Sequence, residues 1–569
     1  MTPFASLKTR LDLWMNSDQA ELFVRGVSAS AWSFINAQIG GPTLATRRQL
    51  VVAPTADEAE ALLNDLRQSG PALLYPGLGH SPYTSIQSSE SALLQRFNVL
   101  SRLVQDSSPF TIVTSADAAQ LLVPPPDFFL TNSMALKVDD IISPHVLAER
   151  LVGLGYRSVP SVEEPGTFAR KGEIFDIFPL RDEPVRLNYF DDLIESIHPV
   201  DVTTQKSRPE KLTEVLIAPG PGLLTGEAFA TVLRENLPQP RPQYKNRYEI
   251  RKSIFQQLAQ GLLFENYPVF VPLFFSRPAQ LTDYLRPGDV VTELNREAGQ
   301  KEWELMLEGW REDHTAEEGK NDSGVVLPAP EKLVTAGFDR AGLKTLVVEP
   351  LDVTVDLKDE IGPDLHLGLA PLRPQLMTKI QARLGSVPDN RFELIKAMLG
   401  QLKEETKRGA HLAVAHRTDA AKQELAFLLG ENGIDAGTVT WFHHQLPEGF
   451  IYRPENLWVL SEADLFTNKQ RKTKKATTTN PDLFAEQPAT LRAGDFVIHR
   501  DFGVGKYLGL ETLKVGDQES DYVVIEYENR DKVYVPVYRL NIVQKHADAG
   551  ATAKLANLNS KKFAETKAK

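Results

Sequence analysis

The chain has 569 residues, 42% of them hydrophobic and 24% charged, and at roughly 100 to 200 residues per domain that length calls for about three to five cores rather than one. Its 36 Gly and 38 Pro follow no repeat and it has no Cys, which excludes fibrous architecture, wholesale disorder, disulfides, thiolate zinc sites, iron–sulfur clusters and a cysteine nucleophile. The net charge is −12, from 63 Lys and Arg against 75 Asp and Glu, the wrong sign for a surface that embraces DNA throughout.

Residues 1–134 alternate strand and helix. Leu50-Val-Val-Ala-Pro54 reads as a buried strand, with Thr55 as N-cap and Asp57 and Glu58 in the first turn of a helix from Ala56 to Leu66. Ala72–Tyr75 and Phe110–Val113 repeat the strand signal, and Ser115 is placed to cap Ala116–Leu122. Strands separated by helices predict a parallel α/β sheet. Pro124-Pro-Pro126 interrupts this pattern. In 135–210, Glu173–Phe178 and Val185–Phe190 alternate with period two on either side of a Pro-bounded turn, a hairpin signal that predicts an inserted α+β module.

The pattern returns in 211–349, with strands expected at Tyr267–Phe275 and Leu346–Val348 and a solvated polar loop at Asp313–Gly324. A small α/β unit is predicted over 350–465: helix Arg391–Arg408, strand His411–Ala415, helix Asp419–Gly430 and strand Leu457–Leu460. Residues 466–490 form a linker, carrying five basic residues among the seven from 469 to 475. Over 491–547, short strand runs at Asp495–Ile498, Lys506–Leu510, Tyr522–Tyr527 and Lys532–Pro536 alternate with tight turns, which predicts a small β-barrel of the SH3 or Tudor kind. Between 491 and 546 eight Lys and Arg face nine Asp and Glu, so a protein partner suits this module better than nucleic acid.

Catalytic motifs are missing. Gly503-Val-Gly-Lys506 is no phosphate loop, because Arg500 stands where the first glycine is needed, Tyr507 replaces Ser or Thr, and the string leads into a strand. The natural slot in the first α/β unit, Phe23–Trp32, has no Gly-Lys-Ser/Thr. Asp139-Asp140 and Asp191-Asp192 read as turn acids, and His443-His444 is an isolated pair. No run approaches the roughly 18 apolar residues of a membrane helix, and no signal peptide is visible; a cytoplasmic protein that makes no use of a membrane is expected.

What remains is surface. Alternation in the second hairpin strand places Val185, Leu187 and Tyr189 on one face, the core face, and Arg186, Asn188 and Phe190 on the other. An aromatic beside an arginine and an amide is the composition of a protein-binding hot spot, unless the sheet is covered on both sides and Phe190 is packed. Arg170 and Lys171, just before Gly172, lie on the neighbouring strand and add to that patch.

Several strings together resemble the bacterial transcription-repair coupling factors: Tyr83 with Ser85–Glu90, Gly166-Thr-Phe-Ala-Arg-Lys-Gly-Glu-Ile-Phe-Asp-Ile-Phe-Pro179, Tyr189-Phe-Asp-Asp192, Leu457–Phe466, Asp495–Tyr507 and Tyr534-Val-Pro-Val537. They occur in the family's order and span essentially the whole chain. The resemblance implies an α/β multidomain protein: a UvrB-like, degenerate RecA-type α/β domain carrying an inserted UvrA-binding module, a small α/β domain and a C-terminal SH3/Tudor-like barrel similar to CarD that binds the RNA polymerase β subunit. It implies UvrA contacts at Lys171, Arg186 and Phe190, and a polymerase contact at Leu513, which on its own reading is either an exposed anchor or barrel core. Lys171 departs from the family's arginine and cannot make its forked contacts.

The family continues through a long helix into translocase lobes that hydrolyse ATP, whereas this sequence ends in Lys554–Lys569, where that helix should begin. No cofactor is therefore expected in this chain; ATP, Mg and most DNA contact are expected of motor lobes. The function implied is an adaptor that joins stalled RNA polymerase to UvrA for nucleotide excision repair. The alternatives are a UvrB-like ATP-dependent excision enzyme, opposed by the missing phosphate loop, and a free-standing CarD-like transcription regulator, which leaves residues 1–490 without a use.

Overall fold

The computed structural model describes residues 3–39, 47–68, 70–79, 81–83, 90–181, 183–239, 245–264, 267–318, 328–335, 337–340, 342–350, 365–367, 369–388, 390–465, 496–499, 503–515, 518–527, 532–536 and 543–545. The chain divides into two compact units, Met1–Lys469 and Gln470–Lys569.

The centre of the first unit is a seven-stranded sheet in the order 365–366, 21–25, 344–349, 290–294, 49–53, 111–115, 72–75, with each neighbouring pair parallel. The unbroken apolar run at Leu50–Ala53 has its reason here. Leu50 and Val52 enter one hydrophobic core and Val51 and Ala53 the other, because a parallel sheet is covered on both faces. Thr55 caps the helix Ala56–Arg67 by accepting the Glu58 N–H at 3.3 Å. Ser115 does not cap its helix, which spans only Ala116–Ala119; Leu121 and Val123 instead bridge to Val334 and Ala279, and those pairings end it.

Two further expectations are corrected. Tyr267–Phe275 is no strand but a helical turn, Tyr267–Phe270, followed by a 3-10 turn, Val271–Phe274. Pro268 and Pro272 supply no N–H to a ladder, and the run is buried all the same because the apolar content lines a core. The polar stretch from Asp313 begins inside the helix Arg296–Glu318, whose Trp303 and Trp310 are buried and whose His314 ring meets Tyr83 at 5.1 Å. Polar composition there marks a solvated helix face, and residues 319–324 lie outside the described residues.

The small sheet has the order 369–371, 450–452, 457–461, 411–416, 440–443, and the predicted helices appear as Arg391–Lys407 and Asp419–Glu431. Along the strand 411–416, Leu412 and Val414 enter a core of the sheet's own, whereas Ala413 and Ala415 share a core with Phe4, Trp32 and Phe34. Glu455 seals this junction by accepting the N–H groups of Phe4, at 2.8 Å, and of Ser6, at 3.1 Å.

The second unit holds a five-stranded antiparallel sheet in the order 532–536, 518–526, 503–515, 496–499, 543–545. Gly503–Lys506 opens its longest strand, with Lys506 opposite Phe496 and Glu526. Its connections at 501–502, 516–517 and 528–531, the 466–490 segment and residues 548–569 lie outside the described residues.

Candidate protein-binding site

The inserted segment folds as a six-stranded sheet in the order 206–207, 193–201, 185–190, 174–178, 167–171, 157–158. Its entering and leaving strands, Met134–Lys137 and Glu214–Ile217, pair antiparallel. Arg181 ties the sheet to the host domain: its guanidinium meets the carboxylate of Asp106 and the side-chain oxygen of Gln105, and its carbonyl accepts from Arg102.

Alternation along Val185–Phe190 is realised as expected. Val185, Leu187 and Tyr189 are buried, Arg186 and Asn188 are partly exposed, and Phe190 is 72% exposed, so the other side is open at its Phe190 end and covered further along, where Ala169 and Asp176 are buried. Cross-strand register assembles that face. Lys171 lies opposite Ile174, Ile174 opposite Asn188 and Asn188 opposite Ser196, while Ala169, Asp176, Arg186 and His198 form the next row. Paired residues point to one side, so Lys171, Arg186, Asn188 and Phe190 share a face and Arg170, opposite Phe175, points away. Gly172, at a φ of 65°, turns the chain between Lys171 and Ile174.

Arg186 is already occupied. Its Nε and Nη2 donate to Asp176 Oδ1 and Oδ2 at 2.7 and 2.8 Å, a bidentate pair, and Nη2 also reaches the Gln205 carbonyl at 3.4 Å. The hydrogen bonds to Asp176 raise the Arg186 pKa above its ordinary value, so the guanidinium is a fixed cation with Nη1 left to offer a partner. Asp176 is 2% exposed and was not among the residues singled out from sequence, although an acid within Ile174-Phe-Asp-Ile-Phe178 is a detectable signal. Asn188 Nδ2 donates to Ser196 Oγ at 2.9 Å.

The acid pairs occupy turns. Asp139 and Asp191 have positive φ, 72° and 58°, and Asp140 accepts the Lys137 N–H at 2.7 Å. Both pairs converge beside Tyr189, whose pKa burial and then Asp140 and Asp192 push up to about 12. Among the described residues no group of three or more His, Asp or Glu side chains is placed to hold a metal, and no helix is long and apolar enough to cross a membrane. At the slot where a phosphate loop would sit, the N–H groups of Gly26 and Val27 both donate to the Glu349 carbonyl, at 3.1 and 3.2 Å. Leu513 lies in the strand Gly503–Val515, opposite Ser520 and two residues before that strand ends.

This architecture is matched by two family descriptions, the UvrB interaction domain over residues 134–221 and the CarD-like/TRCF RID domain over residues 491–547. The transcription-repair-coupling factor of Bacillus subtilis (strain 168) is 26% identical over 96% of this chain and 47% of its own length. That of Staphylococcus aureus (strain MSSA476) is 26% identical over 97% of this chain and 47% of its own. Over nearly its whole length the chain is similar to transcription-repair-coupling factors, at about a quarter identity. It spans about half the length of those relatives. The 134–221 match runs past residue 210 to take in the closing strand Glu214–Ile217, whose pairing with Met134–Lys137 completes the base of the inserted module.

Proposed function

We propose that this chain is the adaptor portion of a transcription-coupled repair factor, carrying UvrA on the open face of the inserted sheet and the β subunit of stalled RNA polymerase on the C-terminal module. The observation that carries the reading is Phe190, 72% exposed on a rigid sheet beside Lys171, Arg186 and Asn188, within the segment that matches the UvrB interaction domain. An exposed aromatic on one face with an arginine and a lysine has the composition of a binding anchor. Asp176 holds Arg186 before any partner arrives, which lowers the ordering cost of docking.

In this reading the five-stranded C-terminal sheet is an SH3/Tudor-like barrel, and Leu513, near the end of its longest strand, is its polymerase contact. The parallel α/β domain is a degenerate RecA-type fold without nucleotide chemistry. The Gly26 and Val27 amides that would face a phosphate are spent on Glu349, which supports assigning ATP, Mg, translocation and most DNA contact to motor lobes outside this chain. Two sites on one chain convert capture of UvrA into delivery, by raising its effective concentration at the polymerase.

The test is capture by the purified chain in cytoplasmic buffer conditions. Phe190→Ala should abolish retention of UvrA and leave retention of RNA polymerase intact, and Leu513→Arg should do the reverse, since an unpaired charge is costly at an apolar contact. Unchanged UvrA retention by Phe190→Ala refutes the assignment of the face.

A further inference from the structure

Arg186 is held from two sides, and the second side is a strained turn. Between the strands 193–201 and 206–207 the chain reverses at Asp201-Val-Thr-Thr-Gln205, where Gln205 stands at a φ of 56°, a left-handed conformation that glutamine seldom adopts. The polar groups of this residue are all engaged. Its N–H donates to the Asp201 carbonyl at 2.8 Å, its Nε2 donates to the Val162 and Val202 carbonyls at 3.0 and 2.8 Å, and its Oε1 accepts from Ser161 Oγ at 3.0 Å. Asp201 fixes the turn from its other end, accepting the N–H and the hydroxyl of Thr204 through Oδ1 at 2.8 and 3.0 Å. A strained residue persists only where its surroundings over-determine it, and such residues gather at clamps and binding sites. Here the clamped group is Arg186, whose Nη2 donates to the Gln205 carbonyl at 3.4 Å.

The clamp determines what Arg186 can offer. Asp176 takes Nε and Nη2, Gln205 shares Nη2, and Nη1 makes no hydrogen bond among the described residues. Asp176 also compensates the guanidinium charge from 2.7 Å, so a partner meets a directed donor with little net charge behind it. A carboxylate brought against Nη1 would shed its water for a cation that is already paired, whereas a neutral carbonyl oxygen gives up far less. Lys171, on the same face, is the opposite case, being exposed and in no ion pair among the described residues. We infer that Gln205 is a positioning residue of the docking face, and that the partner meets Arg186 Nη1 with an uncharged acceptor and Lys171 with an anionic group. This inference rests on the reading that UvrA docks on the face of Phe190.

The two contacts differ in their kinetics, since an exposed charge acts mainly on association and its salt dependence, and a buried, hydrogen-bonded charge pair on dissociation. With the full chain and purified UvrA, Lys171→Gln should slow association and flatten its salt dependence. Arg186→Lys keeps the charge but loses the fork; it should speed dissociation about tenfold and leave the salt dependence of association as in wild type. Gln205→Gly relieves the backbone strain and removes the side-chain bonds that aim the carbonyl, and its urea midpoint checks the fold. It should weaken binding about threefold in the wild-type background and not at all in Arg186→Lys, because the two residues act through one group. An equal loss in both backgrounds means a scaffold role and overturns the inference, as does Arg186→Lys binding like wild type. Phe190→Ala separates the inference from the reading beneath it. If that variant abolishes binding while Gln205→Gly and Arg186→Lys are silent, the clamp is overturned and the docking face stands; if it binds as wild type, the face itself is refuted.

Discussion

Arg186 and Asp176 show why contact and support have to be separated one residue at a time. Asp176 is 2% exposed and its Arg186 partner 17%, so removing the arginine strands a buried carboxylate. Arg186→Ala is therefore expected to cost about 3–5 kcal/mol of stability, read as a lower urea midpoint, whereas Phe190→Ala, at an exposed site, should stay within about 0.5 kcal/mol of wild type. Loss of UvrA capture by Phe190→Ala then reports contact, and the same loss by Arg186→Ala reports contact and scaffold together.

A second carboxylate makes stability depend on pH. Burial lifts the Asp464 pKa to about 6 against the opposing hydrogen bonds from the Ser461 and Gly449 N–H groups. Its folded pKa lies above its unfolded one, so its contribution is whole below about pH 4 and is lost as pH rises through about 6. His444 runs the other way. Burial lowers its pKa to about 4, so its contribution is present above about pH 6.5 and lost as pH falls through about 4. Asp464→Asn keeps an acceptor for both N–H groups and removes one of the two trends. Its stability relative to wild type should therefore rise by on the order of 2 kcal/mol between pH 4 and pH 7, as measured by urea unfolding at each pH.

At the scale of elements, the inserted module depends on a glycine clasp at its base. Gly155 has a φ of 86°, and a Cβ there would stand 2.8 Å from the Gly220 carbonyl oxygen, while one on Gly222 would stand 2.7 Å from the Gly155 oxygen. The Gly220 N–H donates to the Leu154 carbonyl at 2.7 Å, so the strands of chain cannot separate without losing that bond. Gly155→Ala combines positive-φ strain with backbone overlap and should lower stability by roughly 2 kcal/mol or more, with thermal melting as the readout, while Gly153→Ala, with open space around it, should not. Helix caps and alternation are legible in sequence because they involve neighbours in the chain, as Thr55 and the Val185–Phe190 strand show. Tyr267–Phe275 reads as a strand although it forms helical turns, because its apolar run carries no period and only Pro268 and Pro272 stand against a strand.

For the whole molecule, the small sheet is not an independent appendage. Ala413, Ala415, Phe450 and Val459 share one core with Phe4, Leu7, Trp32 and Phe34, and Glu455 caps the N-terminal helix. A chain ended at residue 349 should expose that core and aggregate, whereas one ended at residue 469, the limit of the first compact unit, should elute from size-exclusion chromatography as a folded species without aggregate and show the proposed UvrA capture.

The alternation of Arg186, Asn188 and Phe190, the absent phosphate-loop residues and the parallel α/β pattern follow from the sequence by itself, because periodicity and motif chemistry are local. The tertiary structure decided that Phe190 is open, that Asp176 claims Arg186, and that two sheets share one core. Each of these depends on register between strands distant in the chain, where a shift of one residue reverses every side chain, and on which surfaces meet, which no local pattern encodes.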